Sequence, residues 1–244
     1  KKYLEITFIV TNTCNYNCSY CWPDCHAGTS RWPVLENACK SFDHIINTYR
    51  SIGKEEIRLH LTGGEPTLWP ELKDFINYVR NKHDIRITIT TNGSRTVRWW
   101  NEHAELFNDV HISLHHQFAD INHIIDIANT VYSKQTVMIG VGSLMDPAAW
   151  DACVSNVDAM LNSGSEWMVK VVPLQDYTQE EKTMDYTEQQ AEYISEKIKR
   201  LPPQEFIDRM KELKNIQLEK TDANVYFDNG EVKPYNKFDL MSTG

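Results

Sequence analysis

Ile57-Arg58-Leu59-His60-Leu61-Thr62-Gly63-Gly64-Glu65-Pro66 is the stretch that decides how this chain folds. Apolar and polar residues alternate from Ile57 to Thr62, the period of a strand whose two faces meet different surroundings. Two glycines and a proline end that strand. An apolar pattern of helical period then follows at Leu68, Leu72, Phe75, Ile76 and Val79. A strand that turns directly into an amphipathic helix is one βα unit.

The same unit recurs in both directions. Strands are expected over 4–10, 57–62, 85–90, 110–115, 136–141 and 167–172. Helices are expected near 34–51, 68–82, 97–107, 120–133, 146–162 and 187–200. This alternation predicts an α/β fold with a parallel sheet. Asp146-Pro147 marks one helix start, a capping residue followed by proline at the first helical position. Near the C-terminus the alternation stops: 215–220, 224–227 and 231–235 read as short strands, with Asn229-Gly230 as a hairpin turn. The expected organisation is a core over 1–202 and a C-terminal helix and hairpin extension over 203–244. The chain stops at Met241-Ser242-Thr243-Gly244 without a closing element, so the extension is read as the truncated start of a further domain.

The strands also carry information about what they enclose. Parallel strands buried on both faces run nearly continuous in Val, Ile and Leu. Here Ile57, Leu59 and Leu61 oppose Arg58, His60 and Thr62; Ile85, Ile87 and Ile89 oppose Arg86, Thr88 and Thr90; Val110, Ile112 and Leu114 oppose His111, Ser113 and His115. With the apolar face on the helices, the polar face lines the interior. Unpartnered polar groups there would cost kilocalories each, so a ligand, water or an internal network is expected. Thr62, Thr90, Ser113 and His115 sit at C-terminal strand ends, where α/β folds bind ligands. Glu5, Arg58, Arg86 and His111 lie deeper and are expected to form a buried ion-pair network, with Lys170 placed to join as a carboxylate partner. His115 has two readings, a catalytic histidine or one bonding a neighbouring carbonyl. His116 is expected to point outward.

The 244 residues carry a net charge of −9 and are 41% hydrophobic, enough for a substantial core. With no basic block, a nucleic acid held through its phosphates is not an expected partner. No apolar run approaches membrane-spanning length, so no membrane partner is expected either. Nothing resembling a secretory signal precedes the first strand, and reduced thiols in a cytoplasmic setting are expected.

Those thiols matter most in Thr13-Cys14-Asn15-Tyr16-Asn17-Cys18-Ser19-Tyr20-Cys21, directly after the first strand. The spacing is Cys-x₃-Cys-x₂-Cys. Thiolates ligate iron–sulfur clusters, and three of them on a [4Fe–4S] cube leave one iron open. A structural zinc site is a second reading, with Cys25 or His26 as the fourth ligand, and disulfides are a third. Cys39 shares a helical face with Leu35, Phe42, Ile46 and Tyr49, and Cys153 with Trp150, Val157 and Met160. Both read as core.

Taken together, the cysteine loop after the first strand, Gly63-Gly64-Glu65-Pro66 after the second and Thr91-Asn92-Gly93 after the third resemble the radical S-adenosylmethionine enzymes. The likeness is closest to the branch that often carries C-terminal auxiliary-cluster domains of the SPASM or twitch type, and it spans roughly residues 3–175. It implies a partial (β/α)6 TIM-like barrel with a short C-terminal β-hairpin extension, and a [4Fe–4S] cluster and S-adenosylmethionine as cofactors. By this resemblance Cys14, Cys18 and Cys21 ligate the cluster, the backbone of Tyr20 faces the adenine, and Gly63, Gly64 and Glu65 contact the methionyl ammonium. Asn92 and Ser113 are further cofactor contacts, and His115 is grouped with them. The chain departs from the family's Ser-x-Asp-Gly pattern, reading Ser113-Leu114-His115-His116; Gly140 and Gly142 match the adenine-binding stretch only loosely.

The implied activity is reductive cleavage of S-adenosylmethionine to a 5′-deoxyadenosyl radical, which abstracts hydrogen from a substrate. That substrate is read as a peptide, with a polar small molecule next. A one-electron donor such as flavodoxin or ferredoxin is the implied partner. No side chain is assigned as catalytic. Two other classes stand beside this reading: an iron–sulfur electron-transfer protein without turnover, and a zinc-stabilised binding module.

Overall fold

A computed structural model of the chain describes residues 3–30, 32–164, 166–175 and 183–198, together with the strand backbones 224–226 and 232–234. Six strands follow in chain order: β1 (Tyr3–Ile9), β2 (Glu56–Thr62), β3 (Arg86–Thr91), β4 (Asp109–Leu114), β5 (Met138–Met145) and β6 (Met168–Pro173). Between and after them run α1 (Leu35–Ser51), α2 (Leu72–His83), α3 (Val97–His103), α4 (Ile121–Tyr132), α5 (Trp150–Asn162) and α6 (Glu188–Ile198). Parallel neighbours need a crossover connection, usually a helix, and each strand here is followed by one. The α/β class is therefore as expected. Among the described residues no helix is long and apolar enough to cross a membrane.

The chain divides into two units, one of Lys1–Cys14, Pro23–Ile89 and Gln217–Gly244, the other of Asn15–Trp22 and Thr90–Ile216. In the first, β1 pairs β2 in parallel with Ile9 opposite Thr62, and β2 pairs β3 with Leu59 opposite Ile87. Leu4, Ile6, Ile57, Leu59, Leu61, Ile87 and Ile89 are buried, while Arg58, His60, Thr62, Arg86, Thr88 and Thr90 are half-buried, so the expected division of faces holds. The apolar side meets the helices through an aromatic cluster. Phe8 of β1 lies 5.2 Å from Phe42 of α1 and 5.7 Å from Phe75 of α2, and Phe75 lies 5.3 Å from Trp69 (ring centroids).

In the second unit β4 pairs β5 with Ser113 opposite Gly142, and β5 pairs β6 with Gly142 opposite Lys170. Val110, Ile112, Leu114, Ile139 and Val141 are buried, and α4 and α5 pack on β5. Cys39 and Cys153 are buried, in line with their core reading.

Three of the boundaries that differ from expectation do so for a local reason. Helix α2 starts at Leu72 and not near 68, because Trp69 precedes Pro70 and is held extended at ψ 118°; Leu68 ends a separate 3-10 turn, Pro66–Leu68. Strand β5 runs on to Met145, since Gly142 leaves room for the Val172 side chain, which a Cβ there would meet at 3.0 Å. Asp146 caps a 3-10 turn, Pro147–Ala149, through Ala148 N–H at 2.9 Å, and α5 proper begins at Trp150.

The deep ion-pair network is corrected at Glu5 and Arg58. Glu5 and Arg58 are cross-strand partners, yet Glu5 is exposed. The Arg58 guanidinium turns instead to Glu56 at 2.8 Å and lies over the Tyr3 ring at 4.6 Å. An exposed carboxylate keeps its hydration, and burying it would forfeit that. Strands β7 (Asn224–Tyr226) and β8 (Val232–Pro234) pair antiparallel, as expected for the C-terminal hairpin. The strand expected at 215–220, the Asn229-Gly230 turn and the helix expected beyond 203 lie outside the described residues.

Two measurements check this packing. Phe75 is fully buried, and Phe75→Ala is expected to cost about 3–5 kcal/mol in chemical denaturation. The second concerns Asp43 of α1, which accepts bonds from Tyr78, Lys82 and His83 of α2 at 2.7, 2.6 and 2.6 Å. Burial alone would raise its carboxyl, but hydrogen bonds from Lys82, His83 and Tyr78 outweigh that and bring it down to about 2. A carboxyl lowered by folding stabilises the fold above its unfolded value and loses that contribution as pH falls. Stability is thus expected to decline from about pH 4 to about pH 2, and Asp43→Asn to remove that part of the decline.

Candidate functional site

Pairing between the first two strands does not stop where β1 ends. Val10 N–H donates to the Thr62 carbonyl at 2.8 Å, Gly64 N–H to that of Thr11 at 2.7 Å and Glu65 N–H to that of Thr13 at 2.9 Å. The segment leading into Cys14 is thereby held alongside Gly63-Gly64-Glu65. A Cβ at Gly63 would lie 2.4 Å from the Thr11 carbonyl oxygen; one at Gly64 would lie 2.3 Å from that of Thr13 and 2.9 Å from that of Cys25. Gly63 also has φ +130°, a region only glycine occupies readily. The chain's own backbone therefore requires both glycines.

Glu65 is fully buried, and its Oε1 accepts from Thr67 N–H at 3.0 Å and Thr67 Oγ1–H at 2.6 Å. The carboxylate caps the Pro66–Leu68 turn, which supplies hydrogen bonds that a buried charge needs. Farther back, Asn12 closes the base of the cysteine segment. Its N–H donates to Ser30 Oγ at 2.9 Å, its Oδ1 accepts Ser30 N–H at 2.8 Å, and its carbonyl accepts Gly28 N–H at 3.0 Å. Cys25, half-buried in the 3-10 turn Pro23–Cys25, contributes its carbonyl to the packing around Gly64.

In the second unit the loop Asn15–Trp22 carries Cys18 and Cys21, joined by a turn in which Cys21 N–H donates to the Cys18 carbonyl at 3.0 Å. Cys18 and Tyr20 are buried against Leu174, with Tyr16, Cys21, Leu144 and Met184 around them. The loop is gripped by the segment that follows β4, His115-His116-Gln117-Phe118. Tyr16 stacks on Phe118 with centroids 5.2 Å apart, and Tyr20 stacks on both His115 (5.9 Å) and His116 (5.4 Å). Gln117 Oε1 accepts Ser19 N–H at 2.9 Å while its Nε2 donates to Ser19 Oγ at 2.7 Å.

His115 Nδ1 lies 3.3 Å from Cys18 Sγ and 3.2 Å from the Tyr20 hydroxyl. Its ring nitrogen thus meets a sulfur and a phenol, where a neighbouring carbonyl was one expectation. Burial, then His116, lowers the His115 ring to about 4, so it is neutral at pH 7. Burial, then Cys18, pushes the Tyr20 phenol well above its ordinary value. His116 does not point outward: it is buried between Tyr20 and Asp146, whose Oδ2 lies 3.4 Å from its Nε2. The apolar stack and the carboxylate together offset the cost of removing the imidazole from water.

Asn92 is buried and reaches the cysteine loop too, donating from Nδ2 to Asn15 Oδ1 at 3.0 Å, while its Oδ1 accepts Ser94 N–H at 2.9 Å. Ser113 stands half-buried on β4 opposite Gly142. Among the described residues no three His, Cys, Asp or Glu side chains already converge as a metal site. The donor set nevertheless fits an iron–sulfur cluster. All six cysteines are thiols, and three of them flank the glycine-lined strand end or the adjoining loop. Cluster ligation replaces thiol protons with iron. The spacing had flagged those thiols and glycines. Ser19, Gln117, Tyr16 and Phe118 escaped the sequence reading and His116 was read as outward, although the departure at His115-His116 was the visible trace of this grip.

Among known families, residues 8–139 match the Radical SAM superfamily. Among curated proteins, the chain is 37% identical over 109 residues to a GTP 3′,8-cyclase of Cronobacter sakazakii, covering 42% of this chain and 32% of that protein. It is 36% identical over 97 residues to a GTP 3′,8-cyclase of Edwardsiella ictaluri, covering 39% of this chain and 28% of that protein. The match therefore spans about a third or less of those relatives' length. Among solved structures, SuiB of Streptococcus suis bound to its precursor peptide SuiA superposes with a TM-score of 0.61 at 14% identity, over 99% of this chain and 61% of that one. The FeFe-hydrogenase maturase HydG of Carboxydothermus hydrogenoformans gives 0.51 at 16% identity, over 86% and 57%. At such identities the likeness is one of fold.

Substitution at the glycine ladder is expected to be severe and at the carboxylate selective. Gly63→Ala should cost about 1–3 kcal/mol from backbone strain alone, and Gly64→Ala should displace Thr13 and expose Cys14 to thiol reagents faster than in the parent. Glu65→Gln keeps an acceptor for Thr67 and should leave the melting temperature nearly unchanged. Glu65→Ala should lose about 0.5–2 kcal/mol with the cap.

Proposed function

The chain belongs to the radical S-adenosylmethionine superfamily, and from that membership we propose that it is an enzyme cleaving S-adenosylmethionine reductively to act on a peptide. Enzymes of this class use a [4Fe–4S] cluster and S-adenosylmethionine. Bound here, such a cluster would supply the one-electron reduction of the sulfonium, and with it the hydrogen-abstracting chemistry of the class, to a substrate held by this chain. The observation that carries the reading is the ladder from Val10 to Glu65, which holds the approach to Cys14 against two obligatory glycines.

Cys14, Cys18 and Cys21 are the proposed ligands, leaving one iron for the amino and carboxylate groups of the cofactor. Gly63, Gly64 and Glu65 are assigned to the methionyl ammonium. The Glu65 carboxylate then serves two ends, capping Thr67 through Oε1 and presenting negative charge to a cation. The backbone of Tyr20 is assigned to the adenine, and Asn92, Ser113 and His115 to the remaining cofactor environment. The catalytic core is assigned to 1–202. Chemistry of this kind asks the side chains to bind, orient and exclude water.

A peptide suits a chain of net charge −9 with no basic block, since a polyanion requires clustered cations. The fold shared with peptide-bound SuiB supports the same choice. A nucleoside triphosphate is the second reading, favoured by the GTP 3′,8-cyclase relatives. A one-electron donor such as flavodoxin or ferredoxin, in a reducing cytoplasm, completes the proposal; all six cysteines being thiols accords with it.

The test is anaerobic loading with iron and sulfide, followed by dithionite and S-adenosylmethionine. The parent is expected to form 5′-deoxyadenosine, and Cys14→Ala, Cys18→Ala and Cys21→Ala to fall to background. A colourless protein that retains stoichiometric zinc would sink the reading. Stimulation of 5′-deoxyadenosine release by GTP would move the substrate from peptide to nucleotide.

A further inference from the structure

The segment after β4 departs from the Ser-x-Asp-Gly pattern by placing an imidazole where it meets a sulfur. His115 Nδ1 stands 3.3 Å from Cys18 Sγ and 3.2 Å from the Tyr20 hydroxyl. Its ring is held flat on Tyr20, 6° from parallel, and edge-on to Tyr16 at 78°. The paired bonds between Ser19 and Gln117 fix the adjoining backbone, one residue from Cys18 on one side and two from His115 on the other. Rings packed on two sides and a doubly bonded neighbour leave the imidazole little freedom to turn away.

Resting on the functional reading above, in which Cys18 ligates the cluster, we infer that His115 Nδ1 donates a hydrogen bond to the Cys18 sulfur of the loaded enzyme and raises the cluster's reduction potential. In the thiol form, either S–H or Tyr20 O–H can donate to the single lone pair of Nδ1. Ligation removes the thiol proton, which passes to solvent, and the sulfur then only accepts. The contact persists when Nδ1 carries the ring proton, so the neutral imidazole moves its proton from Nε2 to Nδ1. Reduction adds one negative charge to the cluster. A hydrogen bond to a ligating sulfur stabilises the more negative state, and the potential rises. His115 acts through Cys18 and is a positioning residue.

The experiment loads the whole chain anaerobically with iron and sulfide and follows cluster reduction by EPR-monitored titration. Parent, His115→Phe, His115→Gln and Gln117→Ala are compared at equal iron and sulfide content. His115→Phe keeps a ring on Tyr20 but has no N–H, and is expected to titrate at a more negative potential than the parent. His115→Gln, with an amide N–H, should recover part of that shift, and Gln117→Ala, which loosens the loop but keeps the imidazole, should shift less than His115→Phe. A His115→Phe potential equal to the parent's overturns the inference. So does a Gln117→Ala shift as large as that of His115→Phe, which assigns the effect to loop position. Should His115→Phe take up no cluster, ¹⁵N-histidine-labelled parent decides: a weak ¹⁵N coupling in the reduced cluster, lost in His115→Gln, is expected, and its absence overturns the inference. A parent that forms no four-iron cluster overturns the functional reading itself, an outcome distinct from any change in potential.

Discussion

Three backbone hydrogen bonds beyond the end of β1, from Val10, Gly64 and Glu65 to Thr62, Thr11 and Thr13, are the constraint on which the first unit's site depends. They extend a ladder whose register is set elsewhere. Leu4, Ile6 and Phe8 must face the apolar side, and a slip of one residue would turn all three outward. With Ile9 opposite Thr62, the continuing chain brings Thr13 beside Glu65. Backbone this close leaves no space for a Cβ at Gly63 or Gly64. The place of Cys14 is therefore a consequence of strand register and of two missing methyl groups.

The second unit holds its share of the cysteine loop by different means. Side chains do the gripping there: aromatic stacking at Tyr16 and Tyr20, the paired amide bonds of Gln117 with Ser19, and the bond from Asn92 to Asn15. Stacked rings add to apolar burial and hold orientation. The burial that stacks Tyr20 also keeps His115 neutral and raises the Tyr20 phenol. The contact of the Tyr20 hydroxyl with His115 Nδ1 at 3.2 Å offsets part of the cost of burying both groups.

Much of the architecture was legible as periodicity. Alternation in β2, β3 and β4 and the helical spacing of α1 and α2 follow from local sequence, since each reports which side of an element meets the core. Boundaries were less legible where a neighbour overruled the local pattern. Gly142 reads as an interruption, yet it lets β5 continue beside Val172. Glu5 and Arg58 read as an interior pair, yet Arg58 finds Glu56 two residues away. His116 reads as outward by strand parity, but parity ends with the strand at Leu114, and the ring folds in between Tyr20 and Asp146.

The sequence alone determined the order of six βα units, the polar and apolar faces of the strands, the three cysteines on one loop and the glycines at the next strand end. Each of these is written in spacing, and spacing acts over a few residues. Only the tertiary structure decided what the glycines make room for, which atom Glu65 caps, and that His115 meets a cysteine 97 residues before it. Those facts depend on contacts between distant segments, whose positions are set by strand register and packing within each unit and by no local pattern.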